Sequence, residues 1–144
     1  MRRAIIVTAL LLAGAAGLSL AVDAAFADER APVRSGTVRR TVDSGSEVVL
    51  SRPTFWNGAC NARGVTVTVT QSPANGTVSV TEGLNTAPET PKFGTAGGCG
   101  GMQIMGKQVV YRSRPDFHGS DVVVYEYISD WGERAAATVF ITVR

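Results

Sequence analysis

Short runs that alternate between apolar and polar side chains dominate the chain after residue 36. Residues 65–70 read Val-Thr-Val-Thr-Val-Thr, and a period of two is typical of a strand with one buried face. Clusters of Gly, Pro, Asn and Ser, which favour turns, separate the runs. The pattern predicts about seven strands, over residues 37–42, 47–51, 65–70, 77–81, 107–112, 121–129 and 135–143.

The order of these runs predicts the fold class. No stretch after the N-terminal segment shows helical periodicity, so an antiparallel β-sandwich is expected and a small closed barrel is the alternative. A parallel sheet is disfavoured because no crossover helices are available. Residues 72–76 predict a hairpin or a corner between strands, and residues 83–101 predict a long loop.

The first residues predict export. Met1-Arg2-Arg3 precedes an apolar run from Ala4 to Val22, and Ala25-Phe26-Ala27 follows it, which is the pattern of a cleavable signal peptide. A retained membrane anchor is the alternative, since the run is just long enough to span a bilayer. The predicted organisation is a signal peptide (1–27), a flexible lead (28–36) and one domain (37–144) in the periplasm or outside the cell.

The distribution of charge argues against two classes of partner. The formal net charge of the chain is +2, and the basic residues are interspersed with acidic ones. Nucleic-acid binding needs a clustered basic surface, and binding to anionic lipid needs a Lys/Arg tract. We therefore expect neither nucleic acid nor, after cleavage of the signal, a membrane as partner.

The two cysteines predict one disulfide. Cys60 and Cys99 meet an oxidising compartment after export, where a pair of cysteines is most simply a bridge. A metal site is the alternative, but two cysteines and the single histidine, His118, are too few ligands. No metal and no cofactor is expected.

The C-terminal half resembles a known family. Residues 72–78 (SPANGTV), 109–112 (VVYR), 115–121 (PDFHGSD), Tyr125, Asp130 and the closing run 137–143 are similar to the bacterial cadherin-like and Ig-like repeats. The resemblance implies an immunoglobulin-like sandwich of about seven strands. In it, Pro115 and Gly119 shape a corner, Phe117 plugs the end of the sandwich, and Asp121, Tyr125 and Asp130 belong to the same structural motif.

The resemblance also implies a role. Members of this family act as spacers, adhesion modules or partner-binding units in large surface proteins, some with calcium at the junctions between repeats. This chain carries one copy, so Asp116, Asp121 and Asp130 would lack ligands from a second repeat. Calcium is therefore not expected.

Candidate binding residues fall in two groups. Phe55, Trp56 and Trp131 lie beside turn residues, where exposed aromatic rings could stack on sugars or anchor a protein interface; packing in the core is the alternative for either tryptophan. Val122 and Val124 point outward if Val123, Tyr125 and Tyr127 point inward, so another strand, the long loop or a partner is expected to cover them.

A catalytic site is not expected. His118 lies near Asp116, Asp121, Ser113 and Ser120, but a nucleophile needs a base that a third group holds, and these residues fall in the corner loop. The predicted function is a non-catalytic protein-interaction or structural module of the cell envelope. A carbohydrate-binding module that uses the loop tryptophans is the alternative, and the sequence does not identify the envelope protein or glycan.

Overall fold

The computed structural model of the chain describes residues 33–90 and 98–144. The predicted signal peptide and residues 28–32 of the predicted lead lie outside this part. No helix in the described residues could span a bilayer. Nine strands form there: β1 (Arg34–Val42), β2 (Glu47–Ser51), β3 (Phe55–Trp56), β4 (Ala62–Arg63), β5 (Val65–Gln71), β6 (Gly76–Thr86), β7 (Gln103–Ser113), β8 (Gly119–Ser129) and β9 (Arg134–Val143).

The strands form two larger sheets and one small one. The four-stranded sheet has the order β1-β9-β8-β5, the three-stranded sheet has the order β2-β7-β6, and β3 pairs with β4. All pairs are antiparallel except β1 with β9, which run parallel. The described chain is thus all-β, as predicted, and consistent with a β-sandwich.

One hydrophobic core joins the two larger sheets. Alternate residues of each strand point into it, as strand geometry requires. Val65, Val67 and Val69 face the core, while the threonines between them are exposed. The most buried members are Leu50, Val109 and Tyr111 from one sheet and Val123, Tyr125, Val139 and Ile141 from the other.

A second, smaller cluster lies at one end of the molecule. Trp56 packs there with Ala87, Cys99 and Ile104, and Cys60 packs against them. Cys60 and Cys99 form a disulfide with a Cα–Cα distance of 5.6 Å. The bridge ties the turn between β3 and β4 to the segment between β6 and β7, so the predicted disulfide is present.

Four features differ from the sequence prediction. β1 begins at Arg34, three residues before the predicted start of the domain. β6 and β7 extend to Thr86 and from Gln103, so the predicted loop is shorter. β3 and β4 are two short strands that the sequence did not predict, whereas the segment after β5 is the corner that was one of its two predictions, because β5 and β6 belong to different sheets. The sequence disfavours parallel strands, yet β1 and β9 run parallel, and this pairing needs no crossover helix because the whole domain connects the two strands.

Candidate functional site

The four-stranded sheet presents an extended outer face to solvent. Val122 and Val124 on β8 point to this face because Val123 and Tyr125 are buried in the core on the other side. In register, Val122 lies opposite Phe140 and Val124 lies opposite Thr138. Phe140 is 47% exposed. We use the name outer face for the surface formed by five residues: Val122, Val124, Ile128, Thr138 and Phe140.

Few charges interrupt the outer face. Arg39 of β1 lies beside Phe140 in register, and Arg134 pairs with Glu126 across 3.3 Å. On β5, Thr66 lies opposite Ile128 and Thr68 opposite Glu126. The surface therefore combines apolar side chains with threonine hydroxyls, which suits a protein interface better than a charged ligand.

The predicted aromatic residues do not form one exposed group. Phe55 is 2% and Trp56 is 3% exposed. Phe55 packs against Tyr127 with ring centroids 6.1 Å apart, and Trp56 belongs to the cluster around the disulfide. Neither ring offers a free face to a sugar, so binding through them would require the small β3–β4 sheet to move.

Trp131 is the exposed member of this aromatic group. It is 40% exposed, and its ring meets Phe55 edge to face with centroids 5.5 Å apart. The Arg63 guanidinium lies 5.5 Å from the ring centroid, and Arg63 also pairs with Asp130 at 3.2 Å. A guanidinium in this position covers part of one ring face, which leaves a small platform for a ligand.

The residues of the resemblance motif hold the corner beside β8. Asp121 accepts hydrogen bonds from the main-chain N–H groups of Ala74 at 2.9 Å and Asn75 at 2.8 Å. Gly119 has φ of 143°, a conformation that favours glycine. Phe117 packs against the core. Pro115 is exposed and Tyr125 is buried, while Asp130 accepts the N–H of Gly64 at 3.2 Å. These contacts are structural.

Three tyrosines have raised pKa values. Burial, together with the neighbouring Asp121 carboxylate, raises the pKa of Tyr111 to about 12. Burial raises the pKa of Tyr125, although Ser51 and Arg40 act in the opposite direction. Burial also raises the pKa of Tyr127, with smaller contributions from Tyr125 and Glu133. Every one of these shifts favours the neutral hydroxyl, because burial disfavours the charged form.

Ser113 and Asp121, which lie near His118 in the sequence, have structural partners. Ser113 Oγ accepts the Gly45 N–H at 2.7 Å and donates to the Asp43 carbonyl at 3.2 Å. The Asp121 carboxylate accepts hydrogen bonds from the corner between β5 and β6 and from the Tyr111 hydroxyl. In residues 33–90 and 98–144, no three His, Cys, Asp or Glu side chains lie close enough together to bind a metal ion.

The sequence did not identify one prominent surface. Leu84 is 59% and Met105 is 47% exposed, and they lie opposite each other on β6 and β7. Both fall near or within the segment predicted as a loop. Gly83 and Asn85 interrupt the period of two in this segment. The apolar residues at Val78, Val80 and Leu84 are the one sequence pattern that indicates a continuing strand with an apolar face.

Comparison with family models, curated proteins and solved structures finds no match. The likeness to the bacterial cadherin-like and Ig-like repeats therefore stays a prediction from the sequence.

Proposed function

We propose that this chain is an exported, non-catalytic Ig-like domain that binds a protein of the cell envelope through the outer face of its four-stranded sheet. The apolar row formed by Phe140, which is 47% exposed, and the half-buried Val122 and Val124 carries the proposal. An apolar patch of this kind on a soluble protein usually marks an interaction site.

The composition of the outer face supports a protein partner. Its charges are few, and Glu126 and Arg134 neutralise each other. The side chains rise from paired strands, so binding would require little ordering of the backbone. A β-branched and aromatic surface bordered by threonines suits a partner with an apolar centre and a polar rim.

The disulfide supports an envelope location. A bridge between Cys60 and Cys99 indicates a compartment outside the cytoplasm. Export through the predicted signal peptide is consistent with this location.

The test compares two variants with the same added charge. Val122→Lys/Phe140→Lys places two lysines on the outer face, and Ser79→Lys/Thr81→Lys places two on exposed positions of β6. A photo-cross-linking residue at position 138 captures the partner, which is then purified for affinity measurements. We expect the first variant to lose about tenfold or more in affinity and the second to bind as wild type. Equal loss in both variants, or none in either, would contradict the proposal.

Carbohydrate binding through Trp131 is the second candidate. The observation that favours it is the exposed indole, which Phe55 and Arg63 hold in place. Its test is retention on an envelope polysaccharide fraction, with Trp131→Ala as the variant. Retention that Trp131→Ala abolishes and Val122→Lys/Phe140→Lys preserves would support this candidate over the first.

A further inference from the structure

The long strand β6 lies at the edge of its sheet. It covers Gly76–Thr86, or 11 residues, about twice the length of an ordinary strand. Its single pairing partner among the described residues is β7. A long edge strand presents main-chain groups that another strand can pair with.

Hydrogen bonds between β6 and β7 involve every second residue of β6, and this alternation shows which main-chain N–H and C=O groups face the open edge. At one end, Ala87 N–H donates to the Met102 carbonyl at 2.8 Å, and at the other Arg114 N–H donates to the Asn75 carbonyl at 2.8 Å. Both pairs continue the strand register, and hydrogen bonding alternates along an antiparallel pair. The main-chain groups that point away from β7 therefore belong to Val78, Val80, Glu82, Leu84 and Thr86.

These groups are accessible to a partner strand. Glu82 and Leu84 are exposed, and Val80 is 37% exposed. The Leu84 carbonyl accepts a contact from Gln108 Nε2 at 3.5 Å, which is the outer limit of a hydrogen bond. A main-chain hydrogen bond from a partner strand would replace such a weak contact.

The side chains of the same residues form a repeating pattern. Val80 and Leu84 lie on one face of β6, and Met105 lies opposite Leu84. Glu82 lies midway between the two apolar residues and accepts a hydrogen bond from Lys107 Nζ at 2.8 Å. The order along the edge is apolar, charged, apolar, and it is symmetric about Glu82.

We propose that a second copy of this chain pairs antiparallel with β6 around a two-fold axis at Glu82. This register sets Val80 of each copy opposite Leu84 of the other, and Val78 opposite Thr86. It joins two three-stranded sheets into one continuous sheet. The interface is isologous, as two-fold symmetry requires.

The charge at the axis is the main objection to this pairing, since charged side chains commonly guard edge strands. Two Glu82 carboxylates would meet there. Each already has a lysine of its own chain, and the interaction with Lys107 lowers the pKa of Glu82. The axis would thus carry the row Lys107, Glu82, Glu82, Lys107, in which each carboxylate has a cation beside it.

The self-complementary register favours a second copy over an unrelated strand. Moving the axis by one residue to Thr81 would place Val80 opposite Glu82 and lose the match between Val80 and Leu84. The register at Thr81 would still pair Leu84 with Val78, but only the register at Glu82 pairs Val80 with Leu84 without setting an apolar side chain against the carboxylate. Apolar cross-strand pairs stabilise a sheet.

Sedimentation equilibrium of the disulfide-bonded protein, from micromolar to near-millimolar concentration, tests the association. We expect wild type to form a dimer, Val80→Lys/Leu84→Lys to stay monomeric, and Thr66→Lys/Thr68→Lys on the exposed side of β5 to dimerise as wild type. A monomer at every concentration overturns the proposal. A dimer that the β5 variant loses and the β6 variant keeps also overturns it, and would place the interface on the outer face.

Cysteine cross-linking tests the register and does not depend on how the lysine variants fold. At a hydrogen-bonded antiparallel position two Cα atoms lie about 5.5 Å apart, which is within reach of a disulfide. Glu82→Cys is expected to give a covalent dimer on mild oxidation, and Thr77→Cys, exposed on the same strand, is expected to stay monomeric. The reverse result overturns the register. A wild-type protein that dimerises as expected but captures no envelope protein through position 138 would contradict the proposed function alone.

Discussion

The hydroxyl of Tyr111 donates a hydrogen bond to Asp121 Oδ2 across 3.1 Å in the interior of the protein. Tyr111 belongs to β7 and Asp121 to β8, so this bond connects the two larger sheets. The same carboxylate accepts two main-chain N–H groups from the corner between β5 and β6. One side chain thus joins both sheets and the corner that links them.

Asp121→Asn is expected to lower the free energy of unfolding by about 2 to 3 kcal/mol. The amide keeps the volume of the carboxyl group, but its NH₂ would face a main-chain N–H instead of accepting a bond from it. Urea denaturation provides the measurement. The control is Asp116→Asn, since Asp116 is exposed with φ of 62°, a conformation that asparagine tolerates. A loss in Asp121→Asn no larger than the loss in Asp116→Asn would contradict this prediction.

All three tyrosines are expected to titrate late in the folded protein. The chain has three tyrosines, and each has a raised pKa. Absorbance at the tyrosinate band should therefore rise at higher pH in the folded protein than expected from the ordinary tyrosine pKa of about 10. Protein in denaturant should titrate near pH 10 instead. A folded protein that ionises one full tyrosine near pH 10 would contradict this prediction.

Stability should fall at high pH for the same reason. The folded pKa of Tyr111 is about 12, against an ordinary value of 10.0, so the folded state holds this proton more tightly than the unfolded state. Its contribution is fully present below pH 10 and is lost as the pH rises toward 12. Tyr111→Phe should be less stable at neutral pH and should lose less stability between pH 10 and 12 than wild type. Parallel curves for the two proteins would refute this assignment.

Cys60→Ser/Cys99→Ser is expected to cost about 4 kcal/mol of unfolding free energy. The two cysteines lie 39 residues apart, and closing a loop of that length restricts the unfolded chain by about this amount. The effect should be largest in the fluorescence of Trp56, which packs beside Cys99. Reduction of wild type by dithiothreitol should reproduce the loss, and a change below about 1 kcal/mol in both experiments would contradict it.

Gly106→Ala is expected to destabilise the protein by about 1 to 3 kcal/mol or more. A methyl group there would lie 2.7 Å from the Pro53 carbonyl and 2.6 Å from Thr54 Oγ1, because the chain from β2 to β3 crosses directly over β7. Gly36→Ala in β1 is the control. A Cβ at Gly36 meets nothing within 4 Å, so that variant should be neutral or slightly more stable.

Local patterns predicted most of the strands correctly. Val65 to Thr70 alternates without interruption, and the strand found there ends one residue later. The turn at residues 43–46 was visible because Gly45 can take the positive φ it has here, 73°. These features depend on neighbouring residues only, which is why the sequence is sufficient for them.

Features that depend on distant residues were not predictable. The strand at residues 83–86 contains Gly83 and Asn85, which locally favour a turn, yet pairing with β7 keeps it extended. Asn85 is buried because its side-chain amide donates to Thr54 Oγ1 at 2.9 Å and to the Lys107 carbonyl. Tertiary hydrogen bonds therefore override the local turn propensity of Gly83 and Asn85.

The candidate binding residues also divide into those that a local pattern places correctly and those whose position depends on distant residues. Alternation alone placed Val122 and Val124 on the outer side of β8, where they lie. Phe55 and Trp56 are buried because the small β3–β4 sheet folds against Tyr127 and the disulfide cluster. This packing brings together residues that are far apart in the chain. The turn residues beside Phe55 and Trp56 do not predict such contacts.

The parallel pairing of β1 with β9 has a consequence for biosynthesis. Arg34 lies opposite Ala135 and Val42 opposite Val143, so β1, the first strand of the described residues, cannot pair until β9, the last of them, has been synthesised. Contacts of such long range slow folding. The four-stranded sheet is therefore completed only after β9 has been synthesised, whereas the β2-β7-β6 sheet can form before it.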